Sequence, residues 1–456
     1  MTAPSLRVRP TSVLALPEFR ALLAARGFSA LAMSATATVV AFQTYQLTNN
    51  PLSLGLLGLV EAIPALGLML LGGHIADRRD RRTIIIVTGS LLVVGGVILT
   101  LMALNPDVLG LLGILAVMFL IGVATGFERP ALSAFEAQVI PIEFATRGAS
   151  WSGTVWTSGA ILGPAVGGIM VAIIGLPGTY TVITVLAALA VLAILRIAPK
   201  PMPEPTVGEG FVTSLTSGVK YVAGHQVLLG SMALDLFAVF FGGAIAMLPV
   251  FASDILHVGP VGLGVLRTAP SVGALVAMLA TTRLTPRRRA GPILLVSITI
   301  FGLSMLVFGF STSFYLSLAA LFVSGLADGV SVVIRLAILR LESPEAMRCR
   351  IASVNYLFIG ASNELGAFES GIAATFFGVV PSVVGGGVMT LIVVGVVALV
   401  APQLRNLDLG KRLIEGPGAA PQTPPLGAPS TLTTSAAEVE RIASGELGGE
   451  GAGAPR

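Results

Sequence analysis

The sequence predicts an all-α membrane protein of twelve transmembrane helices in two pseudo-symmetric six-helix bundles. The chain is 54% hydrophobic and only 11% charged, with a mean hydropathy of +0.91, whereas about a quarter of the residues in soluble proteins are charged. Apolar runs recur along most of the chain at lengths near the roughly 20 residues with which a helix crosses a bilayer. Runs such as ILLVSITIFGLSMLVFGF do not alternate as barrel strands do, so helices must satisfy the backbone hydrogen bonds.

The apolar runs predict twelve spans, and the loops between them alternate in charge. The approximate limits of the spans are 19–45, 51–75, 83–104, 109–135, 150–175, 178–198, 226–254, 259–281, 291–310, 313–339, 351–377 and 380–401. The loops TNNP, NPD, GLPGT, HVGP, STS and VVPS contain neither Lys nor Arg, whereas the opposite loops hold a cluster of basic residues. Because Lys and Arg stay on the cytoplasmic side, we expect the basic loops and both termini to face the cytoplasm.

The longest internal connection divides the spans into six and six, which predicts five segments. They are a cytoplasmic N-terminal segment (1–18), a first six-helix bundle (19–198), a cytoplasmic central loop (199–225), a second six-helix bundle (226–401) and a tail (402–456). The tail is rich in Gly, Pro, Ala, Ser and Thr without periodicity, so we expect it to be disordered and cytoplasmic.

The two predicted bundles share residue types at nearly constant separations, which indicates duplication. Residues that recur 203 positions later are Gly122, Gly126, Pro141, Arg147, Ser150, Gly163 and Gly168. A separation of 206 aligns Pro64, Gly67, Arg81 and Arg82 with Pro270, Gly273, Arg287 and Arg288. An even number of spans returns the chain to the same side, so the halves would be parallel repeats related by an axis along the membrane normal.

The stretch GGHIADRRDRR, at residues 72–82, joins the second and third predicted spans. It resembles the loop signature of the major facilitator superfamily, and its DRxDRR form resembles the branch that contains enterobactin and macrolide exporters. The usual signature has Gly where this chain has Asp80. The resemblance covers roughly residues 18–402 and implies a cytoplasmic gate in which the Asp caps or pairs with a neighbouring helix end. The gate residues would be Gly73, Asp77, Arg78, Arg81 and Arg82; the alternative is a topology signal of basic charge alone.

The fifth predicted span contains a GxxxGPxxGG pattern formed by Gly159, Gly163, Pro164, Gly167 and Gly168. Glycines four apart permit close helix approach, and Pro164 removes a helix hydrogen bond and bends the span. The pattern is similar to the antiporter motif of the superfamily's exporters, and the resemblance implies export. Generic packing of small residues is the alternative explanation.

Ionisable residues within the spans are costly in hydrocarbon and usually face a cavity or a partner. Candidates for proton coupling or substrate binding are Asp235, Glu61, Asp328, Glu364, Arg267 and Arg335. Glu61 and Arg267 occupy equivalent positions of the two halves, which suggests an ion pair across the pseudo-twofold axis. Asp328 and Arg335, seven residues apart, share one helix face.

Two further placements complete the set of candidate residues. Asp235 has no basic neighbour in its own helix, which favours a proton-exchanging role over a structural one. Glu128 and Arg129 are adjacent near the cytoplasmic end of the fourth span, so we expect a structural or gate pair.

These observations predict a secondary active transporter that exports amphipathic small molecules by alternating access, in exchange for protons. The resemblance implies a siderophore, macrolide or drug-like cargo and a bacterial inner membrane as the location. We expect no metal or cofactor and no enzyme activity, because the sequence contains neither an HExxH nor a GxxxxGK[ST] pattern. We expect a monomer in the lipid bilayer with no nucleic-acid partner, since positive-inside charge explains the sequence pI of about 9.6. The alternative is an uptake or facilitative carrier of the same fold; a channel or membrane-embedded enzyme fits less well.

Overall fold

The computed structural model describes residues 12–105, 110–201, 211–283 and 288–410. In these ranges the chain forms long helices joined by short connections. The helices are α1 (Pro17–Thr48), α2 (Pro51–Ala76), α3 (Arg81–Leu104), α4 (Gly110–Val139), α5 (Ala145–Leu195), α6 (Phe211–Gly224), α7 (Gln226–Phe241), α8 (Ala244–Val250), α9 (Gly259–Arg283), α10 (Ala290–Phe310), α11 (Phe314–Glu342), α12 (Arg348–Phe377), α13 (Val379–Val400) and α14 (Pro402–Arg405).

The helices account for the twelve predicted membrane crossings. Within the described ranges, 10 helical segments are long and apolar enough to cross a membrane. One of them contains α5, whose 51 residues would extend roughly 75 Å as a straight helix. Gly175 breaks α5 with a φ of 69°, a left-handed conformation that glycine adopts without strain, so α5 supplies two crossings. The 30-residue α12 supplies the remaining crossing despite its polar residues.

The seventh crossing is a broken helix, whereas the sequence predicted one continuous span over 226–254. Helix α7 ends at Phe241, α8 begins at Ala244, and a π-helical turn follows at Phe251–Ile255. A Cβ atom added to Gly243 would lie 2.2 Å from the Ser370 Oγ atom and 2.7 Å from the Gly366 carbonyl oxygen of α12. The break therefore lies at a close approach between the seventh crossing and α12.

The duplicated residues perform the same packing in both halves. In the first half, a Cβ added to Gly122 of α4 would lie 2.7 Å from the Pro64 ring of α2. In the second half, a Cβ added to Gly325 of α11 would lie 1.9 Å from the Pro270 carbonyl oxygen of α9. These are the positions that the separations of 203 and 206 align, so the predicted pseudo-symmetry is confirmed in the packing.

The two halves meet mainly through two helix pairs, α2 with α12 and α5 with α9. A Cβ on Gly371 would lie 3.0 Å from the Cα atom of Gly55, and one on Gly168 would lie 2.3 Å from the Pro260 carbonyl oxygen. All four residues lie near the helix ends that adjoin the loops without Lys or Arg. We call this the neutral side, and it is where the glycine contacts join the halves.

Part of the central connection is a helix, although the sequence predicted a loop over 199–225. Helix α6 packs against the second half: the Ser217 Oγ atom accepts a hydrogen bond from the Arg350 Nη1 atom at 3.0 Å, and the Tyr221 hydroxyl donates to the Glu342 carbonyl oxygen at 3.4 Å. Burial, assisted by the charge of Glu342, raises the pKa of Tyr221, so its phenol stays neutral. Residues 202–210 lie outside the described residues.

The predicted disordered tail does not begin at residue 402. Leu404 and Leu407 are buried against the second half, and the Gly291 amide donates a hydrogen bond to the Leu407 carbonyl oxygen at 3.1 Å. Apolar burial therefore packs residues 402–410 onto the second half, and residues 411–456 lie outside the described part. At the other terminus, a buried Val13 begins a short 3₁₀ turn before α1. Residues 1–11 and Arg287 also lie outside the description.

Candidate transport site

A cavity of about 570 Å³ lies between the two halves. This volume falls within the roughly 300–1,000 Å³ of typical small-molecule sites. Helices α1, α2 and α4 line it from the first half, and α7 to α12 line it from the second. Four of the predicted site residues line this cavity: Glu61, Arg267, Asp328 and Glu364. A cavity walled by both halves changes its accessibility when the halves move relative to each other.

The cavity wall carries both signs of charge without the ion pair predicted between Glu61 and Arg267. Among the described residues, Glu61 has no cationic nitrogen within 4 Å. The Arg267 Nη1 atom instead donates to the Ala37 carbonyl oxygen of α1 at 3.3 Å, a hydrogen bond between the halves. The prediction was wrong because equivalent sequence positions do not fix the distance between two side chains. Arg267 still acts electrostatically on both Glu61 and Glu364.

Arg335 of α11 bridges two carboxylates, which we call the Asp235–Arg335–Asp328 bridge. The Arg335 Nη1 atom contacts the Asp235 Oδ2 atom of α7, and the Nη2 atom lies 3.6 Å from the Asp328 Oδ1 atom. The expectation that Asp235 lacks a basic neighbour holds for its own helix but not for the fold. The predicted common face of Asp328 and Arg335 is confirmed. Asp235 is 8% exposed, whereas Asp328 is 41% exposed and lines the cavity, so the bridge connects the cavity to a buried carboxylate.

Glu128 and Arg129 do not form the predicted ion pair within 4 Å in the described chain. Adjacent residues of a helix point about 100° apart. The two side chains therefore leave α4 in different directions, which keeps their charged groups apart. Glu128 is 8% exposed, lines a small cavity of about 70 Å³ in the first half, and has an Oε2 atom without a hydrogen-bond partner. The Arg129 side chain is exposed and acts electrostatically on Glu61 and Glu364.

The predicted gate residues lie at the charged-loop end of α2 and α3. Arg81 donates to the Ala76 carbonyl oxygen at 3.1 Å and to the Ala134 carbonyl oxygen of α4 at 3.3 Å, and its Nη2 atom lies 3.7 Å from the Asp77 Oδ1 atom. Arg82 donates to the Leu195 carbonyl oxygen at the end of α5. These arginines fasten the loop within the first half, while the Asp77 side chain is 67% exposed.

Helix capping in this loop belongs to Asp80 rather than to Asp77. The Asp80 carboxylate accepts hydrogen bonds from the Arg82 and Thr83 amides at the start of α3, each at 3.2 Å. Asp80, which stands where the usual signature has Gly, therefore caps the N-terminus of α3. Of the other gate residues, Arg78 is exposed, and a Cβ on Gly73 would meet open space.

The glycine motif of α5 faces two helices at once. A Cβ on Gly159 would lie 2.4 Å from the Ala30 Cβ atom, and Gly163 and Gly167 face the next turns of α1. Gly168 faces α9 instead, as does Pro164, whose carbonyl oxygen would lie 2.5 Å from a Cβ on Gly264. The motif therefore sets the packing within the first half and at the contact between the halves.

Sequence reasoning missed two polar contacts between helices. The Tyr45 hydroxyl donates to the Asp254 Oδ2 atom, which joins α1 to the π-helical turn across the two halves on the neutral side. Arg26 of α1 pairs with Glu136 of α4 at 3.0 Å within the first half. A polar residue at the end of an apolar span is a weak signal, because most such residues contact headgroups or water. In the described part of the chain, no group of three His, Cys, Asp or Glu residues could hold a metal ion.

Comparison with known proteins agrees with this architecture. The family model described as "Transmembrane secretion effector" matches residues 9–414. The chain is 26% identical over 396 residues to the enterobactin exporter EntS of Escherichia coli (strain K12), which covers 86% of this chain and 93% of that protein. It is 25% identical over 340 residues to the enterobactin exporter EntS of Shigella boydii serotype 18, which covers 74% of this chain and 80% of that protein.

Solved transporters share the fold at low sequence identity. A POT family transporter in complex with 5-aminolevulinic acid superposes with a TM-score of 0.68 at 13% identity, covering 85% of this chain and 96% of that chain. A bacterial homolog of the human lysosomal transporter Spinster superposes with a TM-score of 0.65 at 13% identity, covering 87% and 97%. The chain belongs to the transmembrane secretion effector family of the major facilitator superfamily and is a multi-pass membrane transporter of the branch that contains EntS.

Proposed function

We propose that this chain exports amphipathic small molecules across a bacterial inner membrane by alternating access, in exchange for protons. The observation that carries the proposal is the cavity between the halves, which has a mixed-charge wall formed by Glu61, Glu364 and Arg267. A cargo with polar groups of both signs, or with hydroxyls on an aromatic body, complements such a wall. The catechol siderophore class, to which the name of the EntS relatives points, fits this description.

The Asp235–Arg335–Asp328 bridge supports the proton-exchange part of the proposal. One guanidinium between two carboxylates leaves a net negative charge, and a single added proton neutralises the cluster. Asp328 is the member that lines the cavity, so a proton or a cationic group of the cargo reaches it first. Protonated Asp328 releases the Arg335 Nη2 atom, and Arg335 then pairs with Asp235 alone.

The contacts between the halves support alternating access. In this conformation the halves are joined on the neutral side by the Gly55–Gly371 and Gly168–Pro260 contacts and by the Tyr45–Asp254 hydrogen bond. Opening of the neutral side requires all three to separate. The loop residues Asp77 and Arg78 are exposed on the opposite side, where they are free to act as a gate in the alternative conformation. We place that side in the cytoplasm, together with both termini.

Export is tested in inside-out membrane vesicles from cells that produce the protein. When respiration acidifies the lumen, catechol siderophores or macrolides supplied outside should accumulate inside, and an uncoupler should abolish the accumulation. Asp328→Asn should reduce accumulation, while Glu143→Gln, which neutralises an exposed carboxylate outside the cavity, should not. Entry that stops at equal concentrations on both sides and resists the uncoupler would indicate a facilitative carrier. Proton-driven loss of preloaded cargo from the acidic lumen would indicate the uptake alternative.

A further inference from the structure

A further cavity opens sideways between α7 and α12, away from the central cavity. Its volume is about 370 Å³, and its lining includes Phe240, Leu365, Phe368, Glu369, Ile372 and Phe377. We call it the lateral groove. Phe377 is 75% exposed and Leu365 is 46% exposed, so the groove lies on the lipid-facing surface of the second half.

Helix α12 presents one carboxylate to each cavity. Glu364 lines the central cavity, with its Oε2 atom against Gly58 of α2, whereas Glu369 lines the lateral groove. Five residues correspond to about 500° of helical rotation, so the two side chains point about 140° apart. The carboxylate of the lateral groove therefore belongs to a different site from the proposed cargo cavity.

Glu369 lacks a basic partner in the described structure. Its Oε2 atom accepts only a long hydrogen bond of 3.4 Å from the Ser370 hydroxyl, and no Lys, Arg or His nitrogen lies within 4 Å. The residue precedes the α12 end at Phe377 by eight positions, which is about 12 Å of helix. A carboxylate at that depth is costly in hydrocarbon unless a cation or a proton neutralises it.

We propose that the lateral groove binds a lipophilic aromatic cation, with Glu369 as its counter-ion. Phe240 and Phe368 line the groove together with Glu369, and aromatic rings attract a cation through their quadrupoles. A delocalised aromatic cation partitions into hydrocarbon, whereas the ammonium of a phospholipid stays at the headgroups, about 12 Å of helix away from Glu369. The proposal concerns equilibrium binding and does not depend on the transport mechanism proposed above.

The test uses ethidium binding to the purified protein in lipid nanodiscs, followed by fluorescence anisotropy. We expect Glu369→Gln to weaken binding about 10-fold or more and Phe368→Leu to weaken it severalfold. Glu369→Asp, which keeps the charge, should retain more affinity than Glu369→Gln. Glu143→Gln, which neutralises an exposed carboxylate outside both cavities, should leave binding unchanged. The thermal unfolding midpoint of each variant checks that it is folded.

Three outcomes would overturn the proposal. Loss of binding in Glu364→Gln but not in Glu369→Gln would place the dye in the central cavity. Equal binding by every variant would show that the anisotropy signal comes only from partitioning of the dye into the bilayer. Copurification of phosphatidylethanolamine with wild type but not with Glu369→Gln, together with ethidium binding that does not depend on Glu369, would make a phospholipid headgroup the occupant.

Discussion

The contact between Gly168 and α9 gives the sharpest prediction about how the two halves move. A Cβ atom at residue 168 would lie 2.3 Å from the Pro260 carbonyl oxygen and 3.2 Å from the Gly264 Cα atom. Both neighbours are backbone atoms, so a side-chain rotation cannot relieve the clash. Gly168→Ala should therefore destabilise the conformation in which the neutral side is closed, while the opposite conformation, in which α5 and α9 separate here, is unaffected.

The size of the effect follows from the cost of overpacking. One excess methyl group in a well-packed contact costs about 1–3 kcal/mol. Because the cost applies to one of two conformations, it should shift their ratio roughly 5- to 150-fold toward the open neutral side. Gly153 lies on the same helix, and a Cβ there meets no atom within 4 Å. Gly153→Ala is thus the matched control, for which we expect no shift.

The ratio of the two conformations can be measured by double electron–electron resonance between two spin labels on the neutral side. Asn50 and Tyr315 are exposed at the neutral ends of α2 and α11, one in each half, and accept labels as cysteines in a Cys349→Ser background. Gly168→Ala should raise the population of the longer distance. An unchanged distance distribution in a folded Gly168→Ala protein would refute the assignment of this contact as a closure of the neutral side.

Three further predictions concern the other contacts. Tyr45→Phe removes a hydrogen bond between the halves and should favour the open neutral side about 2- to 10-fold in the same distance measurement; Tyr180→Phe, which removes a hydrogen bond within one half, should not. Gly325→Ala should lower the thermal unfolding midpoint in detergent because its Cβ meets a backbone oxygen at 1.9 Å, whereas Gly395→Ala, with open space around it, should not. Arg335→Met leaves the buried Asp235 carboxylate without its partner and should lower the free energy of unfolding by about 3–5 kcal/mol. Neutralising Asp235 as well should recover most of the lost stability. An absence of recovery would argue against the bridge.

The sequence predicted the features that depend on long-range composition. The number of crossings follows from the lengths of the apolar runs, and the duplication was visible because residues such as Gly122 and Gly325 meet the same steric demand in each half. The sequence also predicted that the glycine motif containing Gly168 lies at a close helix contact, since only small residues permit such an approach. The tail packing was open to prediction as well: Leu404 and Leu407 are spaced for one apolar face, but the low-complexity composition around them obscured it.

Side-chain partners could not be predicted from the sequence. Most crossings are apolar on every face, so the hydropathy pattern does not fix the rotation of a helix about its axis. For this reason the sequence did not predict that Asp235 pairs with Arg335 of another helix, or that Glu61 and Arg267 do not pair. The Tyr45–Asp254 bond joins residues 209 positions apart, and only the packed helices bring them together.

Simultaneous recording of proton and cargo movement tests the proposed exchange most directly. Purified protein is reconstituted in liposomes that contain a pH-sensitive dye, and a catechol siderophore is supplied on one side. The account predicts that cargo and protons cross in opposite directions at a fixed ratio, and that Asp328→Asn abolishes the proton movement while Glu143→Gln retains it. Cargo movement without proton movement in the wild type, or normal exchange in Asp328→Asn, would contradict it.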